Sequence, residues 1–477
     1  MNPDPNAPVA LQVGVLVAYS AGLVLFGRWV SRRVKGTGSF FVADRQLGPG
    51  LIFATFLAAN IGAGSIIAAS GLGYRVGISA WWYVGSAAIG QIIFAFFIGP
   101  RIWRIATKNG LYTAGDYLEL RYGSAVRATI ATGLWFGTLA ILAAQLIAMS
   151  EILEWVLGVP RGVGAVIGGG VVMAYFAMGG LLTSAWVNAV QLVVLLAGFA
   201  IGVPLALSIA GGWDAVLAAA PAEPSFTDPF AAGGIVMFAI VMPSFVVSPG
   251  LLQKGFGAVD ARVLRMSVAA QALVLAVFAF APMMIGVIAH SYDPALTNPE
   301  FAVPTVLTLG LPTLFGALGL AAVFSAEMSS ADAVLFMLST SLSKDIYQRY
   351  VAPDATDAQV LRVARLAAIV GGALGVGLTL VLPTVIDSIL IFYSILSVSL
   401  FVPVVAGLYT RRAGVPEALA AIGFGVSMLF IVQLTGLSDI SPWLDKTLLG
   451  IVASGLAFGI VFLIRRPAAK TEASSSE

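Results

Sequence analysis

The sequence predicts an all-α membrane protein of about thirteen transmembrane helices, with the N-terminus outside and the C-terminus cytoplasmic. Three observations predict it. The 477 residues are 59% hydrophobic and only 10% charged, whereas a soluble domain carries about 25% charged residues. Apolar runs of about twenty residues, the length that crosses a bilayer, recur along the whole chain. The basic residues gather between alternate runs.

The runs can be taken in order. The first, near 8–30, follows MNPDPNAPVALQ, which lacks the basic flank of a cleavable leader, so it is expected to stay as a helix. The second, 48–73, contains Asn60-Ile61-Gly62-Ala63-Gly64. Glycine tolerates non-helical angles and lets another group approach closely, so this helix is expected to break. Runs at 80–104, 126–157, 161–179 and 182–208 follow. The next, 232–256, contains Pro243 and Ser248-Pro249-Gly250. Proline removes an amide donor and disfavours helix before it, so a second break is expected there, five helices after the first. Runs at 261–289, 312–343, 359–381, 384–409, 415–435 and 446–464 complete the series. The polar tail, 467–477, is expected to be disordered.

Charge fixes the orientation. With the N-terminus outside, the cytoplasmic ends hold Arg28, Arg32, Arg33, Lys35 and Arg45, and then Arg101, Arg104, Lys108, Arg121 and Arg127. Further along they hold Lys254, Arg262, Arg265, Lys344, Arg349, Arg362, Arg365, Arg411, Arg412, Arg465, Arg466 and Lys470. Only Arg75, Arg161 and Lys446 of the 25 Lys and Arg residues fall outside, which is the bias of the positive-inside rule.

Composition also excludes. A net charge of +2 offers no basic face for nucleic acid, and cysteine is absent, which removes disulfides, thiolate metal sites and cysteine nucleophiles. His290 is the single histidine, and no HExxH or GxSxG motif occurs, so the chain does not read as an enzyme.

Residues 324–336, FSAEMSSADAVLF, place Glu327, Asp332, Ser329 and Ser330 inside an apolar run. A charged carboxyl at the bilayer centre costs about 2.5 kcal/mol or more by insertion scales. Each carboxyl must therefore face the protein interior, pair, or be protonated. Residues 326, 329 and 330 lie on one helical face. Paired interrupted helices point to a transporter's midplane site, while small residues and serines also serve close helix packing. Both readings stand on the residues alone.

Several stretches carry a family resemblance: LAANIGAGS (57–65), YTAGDYLELRYG (112–123), GGLLTSAWVNAVQ (179–191), LLQKGFGA (251–258) and FSAEMSSADAVLFMLSTSLSKDIY (324–347). With these, the chain resembles the sodium:solute symporter family, which includes sodium-coupled sugar, proline and sialic acid carriers. The resemblance implies a LeuT-type inverted repeat of five plus five helices, about 48–208 and 232–409. Extra helices would lie at 8–30, 415–435 and 446–464, all in one transmembrane domain, 1–466. It also implies a sodium site formed by the carbonyls of Ala58, Ile61 and Ala326 and the hydroxyls of Ser329 and Ser330. Sodium is a hard cation suited to oxygen ligands, as calcium and magnesium are.

The chain departs from that family in two places. Members with a second cation site have an aspartate where this chain has Asn188, and Asp332 stands where a small hydroxyl residue is usual. A relocated carboxylate is expected, with Asn188 supplying an amide oxygen opposite Asp332, to hold a second cation or a proton. Glu327 replaces an apolar residue and belongs to the same expectation.

For the solute, the resemblance points between the two broken helices. Candidates are Asn60, Ser65, Trp81, Trp82, Tyr83, Gln145, Ser248, Tyr393, Ser394 and Ser397. The polar set of the sugar carriers is missing, because Ser65, about Val84, and Ser248 stand at its positions. Trp81-Trp82-Tyr83 reads either as an aromatic wall, suited to a cationic amine, or as an interfacial belt. Asp116 and Arg121 are expected to make structural contacts. The function expected is a secondary active symporter in the cytoplasmic membrane, coupling inward sodium flux to uptake of a small organic solute. Two alternatives are weighed against it: a proton-coupled carrier using Glu327 or Asp332, and a solute receptor without transport. The partners expected are the bilayer and the solute, with no nucleic acid.

Overall fold

A backbone inside hydrocarbon must satisfy its own N–H and C=O groups, and a helix does so within one segment. The described residues are almost entirely helical. A computed structural model describes residues 7–34, 36–220 and 224–465. The tail expected at 467–477, and Lys35, Arg466 and Lys470 of the charge bias, lie outside the described residues. Among those described, the only strand-like pairing is an isolated bridge between Leu47 and Ala258.

The helices are α1 (Ala7–Ser31), α2 (Pro49–Asn60), α3 (Ala69–Val76), α4 (Trp81–Ile93), α5 (Gly99–Lys108), α6 (Ala114–Tyr122), α7 (Ser124–Leu157) and α8 (Arg161–Ile209). Then come α9 (Ala232–Val247), α10 (Pro249–Phe256), α11 (Ala261–Phe278), α12 (Phe280–Tyr292), α13 (Thr313–Thr340), α14 (Asp357–Leu378), α15 (Val385–Tyr409), α16 (Val415–Thr435) and α17 (Lys446–Ile464). Eleven helical segments among the described residues are long and apolar enough to cross a membrane, and Pro49–Asn60 and Arg161–Ala174 are shorter apolar helices. Large apolar side chains such as Val17, Leu25, Phe136 and Leu463 are exposed, as a bilayer-facing surface requires.

Three interruptions shape the bundle. α2 ends at Asn60, with Ile61 extended, and helix resumes in a wide π-helical turn over Gly64–Ala68. α9 ends at Val247, and Ser248 leads into α10 with Pro249 at its first position. Within α8, Gly180 has φ 54°, a conformation that favours glycine. A Cβ there would strike the Phe40 carbonyl. The kink falls between the runs expected at 161–179 and 182–208.

The pairing pattern repeats after five crossing segments. α2 packs on α8 as α9 packs on α15. α4 packs on α9 as α11 and α12 pack on α2 and α3, and α7 packs on α15 as α13 packs on α8.

An ion cluster ties the end of this bundle that carries α6. Arg127 reaches Asp116 at 2.8 Å, Glu119 at 2.6 Å and Asp345 at 2.6 Å. Arg121 donates to the carbonyls of Gly407, Ala413 and Thr410, so Asp116 and Arg121 both make structural contacts.

Candidate functional site: a broken helix braced against α13

The break after α2 frees backbone groups that a continuous helix would pair, and four of them find side-chain partners. The Gly62 amide donates to Ser65 Oγ at 2.9 Å, and the Ala63 amide donates to Gln145 Oε1 at 3.0 Å. On the acceptor side, Ser329 Oγ lies 3.1 Å from the Ala58 carbonyl and 2.8 Å from the Ala326 carbonyl. Ser330 Oγ lies 3.0 Å from the Ile61 carbonyl and 3.4 Å from that of Ala58. Five neutral oxygens therefore converge, all on buried residues. Gly62 lets α13 come this close, since a Cβ there would collide with Ser330. The donor set is oxygen alone, which fits a hard cation. In the hydrogen-bonded arrangement the two hydroxyls donate to carbonyls; a cation would be met by their lone pairs after rotation.

Glu327 stands beside this set. It is fully buried, its carboxyl lies against the backbone of Ala63, and neither oxygen has a hydrogen-bond partner among the described residues. Asp332 points elsewhere. It accepts a short hydrogen bond from Ser184 Oγ, and Asn188 Nδ2 lies 3.3 Å from the same Ser184 oxygen and 3.4 Å from Thr55 Oγ1. Asn188 thus reaches Asp332 through Ser184, and Glu327 belongs to a different cluster from these two.

A cavity opens beside the break, with about 70 Å³ in which a water centre fits. One water needs about 10–15 Å³ by this measure, so there is room for several waters. Asn60, Ser65, Gln145, Ser248 and Tyr393 line it, as expected. Asn60 is also the first member of a polar chain to Gln271 (3.2 Å), Gln91 (3.2 Å) and the Phe245 carbonyl (2.8 Å) that joins the two broken helices.

The other solute candidates lie off the cavity. Trp81 Nε1 donates to the Ala276 carbonyl and Trp82 Nε1 to that of Pro229. Tyr83 is buried with its hydroxyl beside Gly64. Ser394 pairs with Thr447 at 2.7 Å, and Ser397 with Ser244 at 2.6 Å. Trp81, Trp82 and Ser394 are turned to other partners, while Tyr83 and Ser397 stand behind the lining residues Gly64 and Ser244.

Sequence reasoning missed Ser244, Phe245 and Lys254, which do line the cavity, and Ser184 and Thr55, which hold Asn188. Lys254 counted only as a cytoplasmic charge. Its position five residues beyond Pro249, in a short helix that starts at a break, was the available signal.

Comparison with known proteins places the chain by sequence and by fold. A model of the sodium:solute symporter family matches residues 40–425. The chain is 28% identical to the sodium/glucose cotransporter of Vibrio parahaemolyticus over 406 residues, covering 76% of this chain and 73% of that protein. It is 28% identical to the sodium/pantothenate symporter of Escherichia coli (strain K12) over 475 residues, covering 93% and 96%. The solved structure of a Na+-coupled sialic acid symporter, in its substrate-bound outward-open state, shares the fold with a TM-score of 0.78 at 18% identity, covering 96% of this chain and 98% of that one. With a matching model over most of its length and a broken helix set against α13, the chain belongs to the sodium:solute symporter family.

Proposed function

We propose that the protein uses the five oxygens of Ala58, Ile61, Ala326, Ser329 and Ser330 to bind the sodium ion that drives uptake of a small organic solute. The observation that carries this is their convergence at the break after α2. A sodium ion there would join α2 to α13 and favour one arrangement of the bundle. Coupling follows only if sodium binds the two arrangements unequally. Release on the low-sodium side then loosens the break, and the cavity it borders gives up the solute.

Thirteen crossings, a single transmembrane domain spanning 1–466, an outside N-terminus, a cytoplasmic C-terminus and residence in the cytoplasmic membrane complete this reading. It is supported by the charge bias and by the five-segment repeat of helix pairings. The solute site is the cavity lined by Asn60, Ser65, Gln145, Ser248 and Tyr393, with Ser244 and Phe245 added. A cationic amine is disfavoured, since no carboxylate lines this cavity and Lys254 does. Glu327 places a buried carboxyl beside five neutral ligands.

The test is a thermal-shift screen of metabolites with the purified protein, in sodium and in potassium, because specific binding raises apparent stability. A solute that stabilises only with sodium present supports the reading. A solute that stabilises equally in both salts contradicts it.

A further inference from the structure

Two opposite charges are buried together where the sodium oxygens end. Lys254 in α10 is 1% exposed and Asp332 in α13 is fully buried. Each is the other's charged neighbour, and no direct ion pair joins them. A chain of polar groups does. Lys254 Nζ donates to the Thr55 carbonyl at 3.2 Å. Thr55 Oγ1 meets Asn188 Nδ2, Asn188 meets Ser184, and Ser184 donates to Asp332 Oδ2. Two acceptors at the far end of this chain, Asn188 Oδ1 and Asp332 Oδ1, are buried without a partner among the described residues.

A buried carboxylate needs a compensating positive charge. Asp332 sits amid hydroxyl and amide oxygens, the environment that suits a hard cation. The ammonium of Lys254 is the positive charge at hand. It has three donors, and its one hydrogen bond among the described residues goes to the Thr55 carbonyl. An added sodium ion would leave this buried cluster with net positive charge, a state that burial disfavours.

We propose that Lys254 is a tethered cation for Asp332, holding in covalent form the place a second sodium ion would otherwise take, so that the protein binds one sodium ion and not two. The proposal rests on the sodium site at Ala58, Ile61, Ala326, Ser329 and Ser330. Lys254 also borders the solute cavity, so its charge links that cavity to α13.

Equilibrium binding of radioactive sodium to the purified full-length protein, without solute, tests this. The wild type is expected to bind one ion. Lys254→Ala uncovers Asp332 and is expected to bind two, rising from one site to two in a saturation curve. Asp332→Asn keeps one ion at unchanged affinity, because Asp332 is not a ligand of the first site. Lys254→Met/Asp332→Leu, which removes both charges, also binds one. Two ions in the wild type overturn the proposal, as does one ion in a folded Lys254→Ala protein. Should Lys254→Ala not fold, Lys254→Gln, which keeps a polar group toward the Thr55 carbonyl, decides: two ions support the tethered cation, and one ion overturns it. No sodium binding by the wild type would instead sink the sodium-site reading beneath it.

Discussion

Ser330 Oγ lies 3.0 Å from the carbonyl oxygen of Ile61, although 269 residues separate them. That contact closes the gap left where α2 stops, and it joins a backbone group freed by one helix to a side chain of another. Ser330→Ala removes one of five oxygens and leaves the Ile61 carbonyl facing a methyl group. Sodium affinity is expected to fall about tenfold, equivalent to about 1.4 kcal/mol. A sodium titration of the protein's tryptophan fluorescence reads this directly.

Glu327 gives a two-sided expectation. Its carboxyl is fully buried with only the Ala63 backbone beside it, and a buried carboxyl so sparsely bonded is costly. Glu327→Gln should therefore raise thermal stability in sodium-free buffer. The same change removes the one ionisable group beside the sodium oxygens, and if a bound cation draws the carboxyl into its charged form, sodium binding should weaken by about tenfold. Unchanged sodium affinity in the variant would show that the carboxylate does not act on the ion.

Gly180 predicts a fold defect rather than a binding defect. Its φ of 54° and the Phe40 carbonyl leave no room for a side chain. Gly180→Ala is expected to lower the melting temperature or the yield of folded protein, with sodium affinity retained in whatever folds. Size-exclusion profiles in detergent, followed by sodium titration, separate the two effects.

The ion cluster around Arg127 predicts an acid sensitivity. Burial works against ionisation of Glu119, yet the guanidiniums of Arg127 and Arg349 outweigh it and hold the carboxyl below its ordinary range. A lowered native pKa means stabilisation that is present above the unfolded value, about 4.3, and lost as pH falls through the native one. The melting temperature of Glu119→Gln should lie below that of the wild type at neutral pH. The gap should close as the pH drops below about 4.

Much of this was legible in the residues. The apolar runs matched the helices because a bilayer demands both length and low charge. Both breaks were visible because glycine and proline act on the backbone locally, and the kink at Gly180 fell between two expected runs. Helix periodicity put Ala326, Ser329 and Ser330 on one face, but the oxygens proposed for sodium came from the family resemblance, since the residues alone fitted close helix packing as well. The rotation of one helix against another was not legible. Trp81 and Trp82 read equally as a cavity wall or an interfacial belt, and only the packing shows their indoles bonded to the carbonyls of Ala276 and Pro229. Lys254 looked like a topology marker, and packing buries it near Asp332. Ser184 and Thr55 gave no warning, since neutral hydroxyls are ordinary in membrane helices, and Ser184 meets Asp332 148 residues away.

The central claim is that sodium binds at the break after α2. The most direct measurement compares the melting temperature of the purified wild type and of Ser329→Ala/Ser330→Ala in sodium chloride and in potassium chloride at equal ionic strength. A ligand that binds the native state stabilises it by RT ln(1 + [L]/Kd), about 2.7 kcal/mol when the ligand is at a hundred times its Kd. The wild type should melt several degrees higher in sodium, and the double variant should melt alike in the two salts. Equal sodium stabilisation of both proteins would contradict the account.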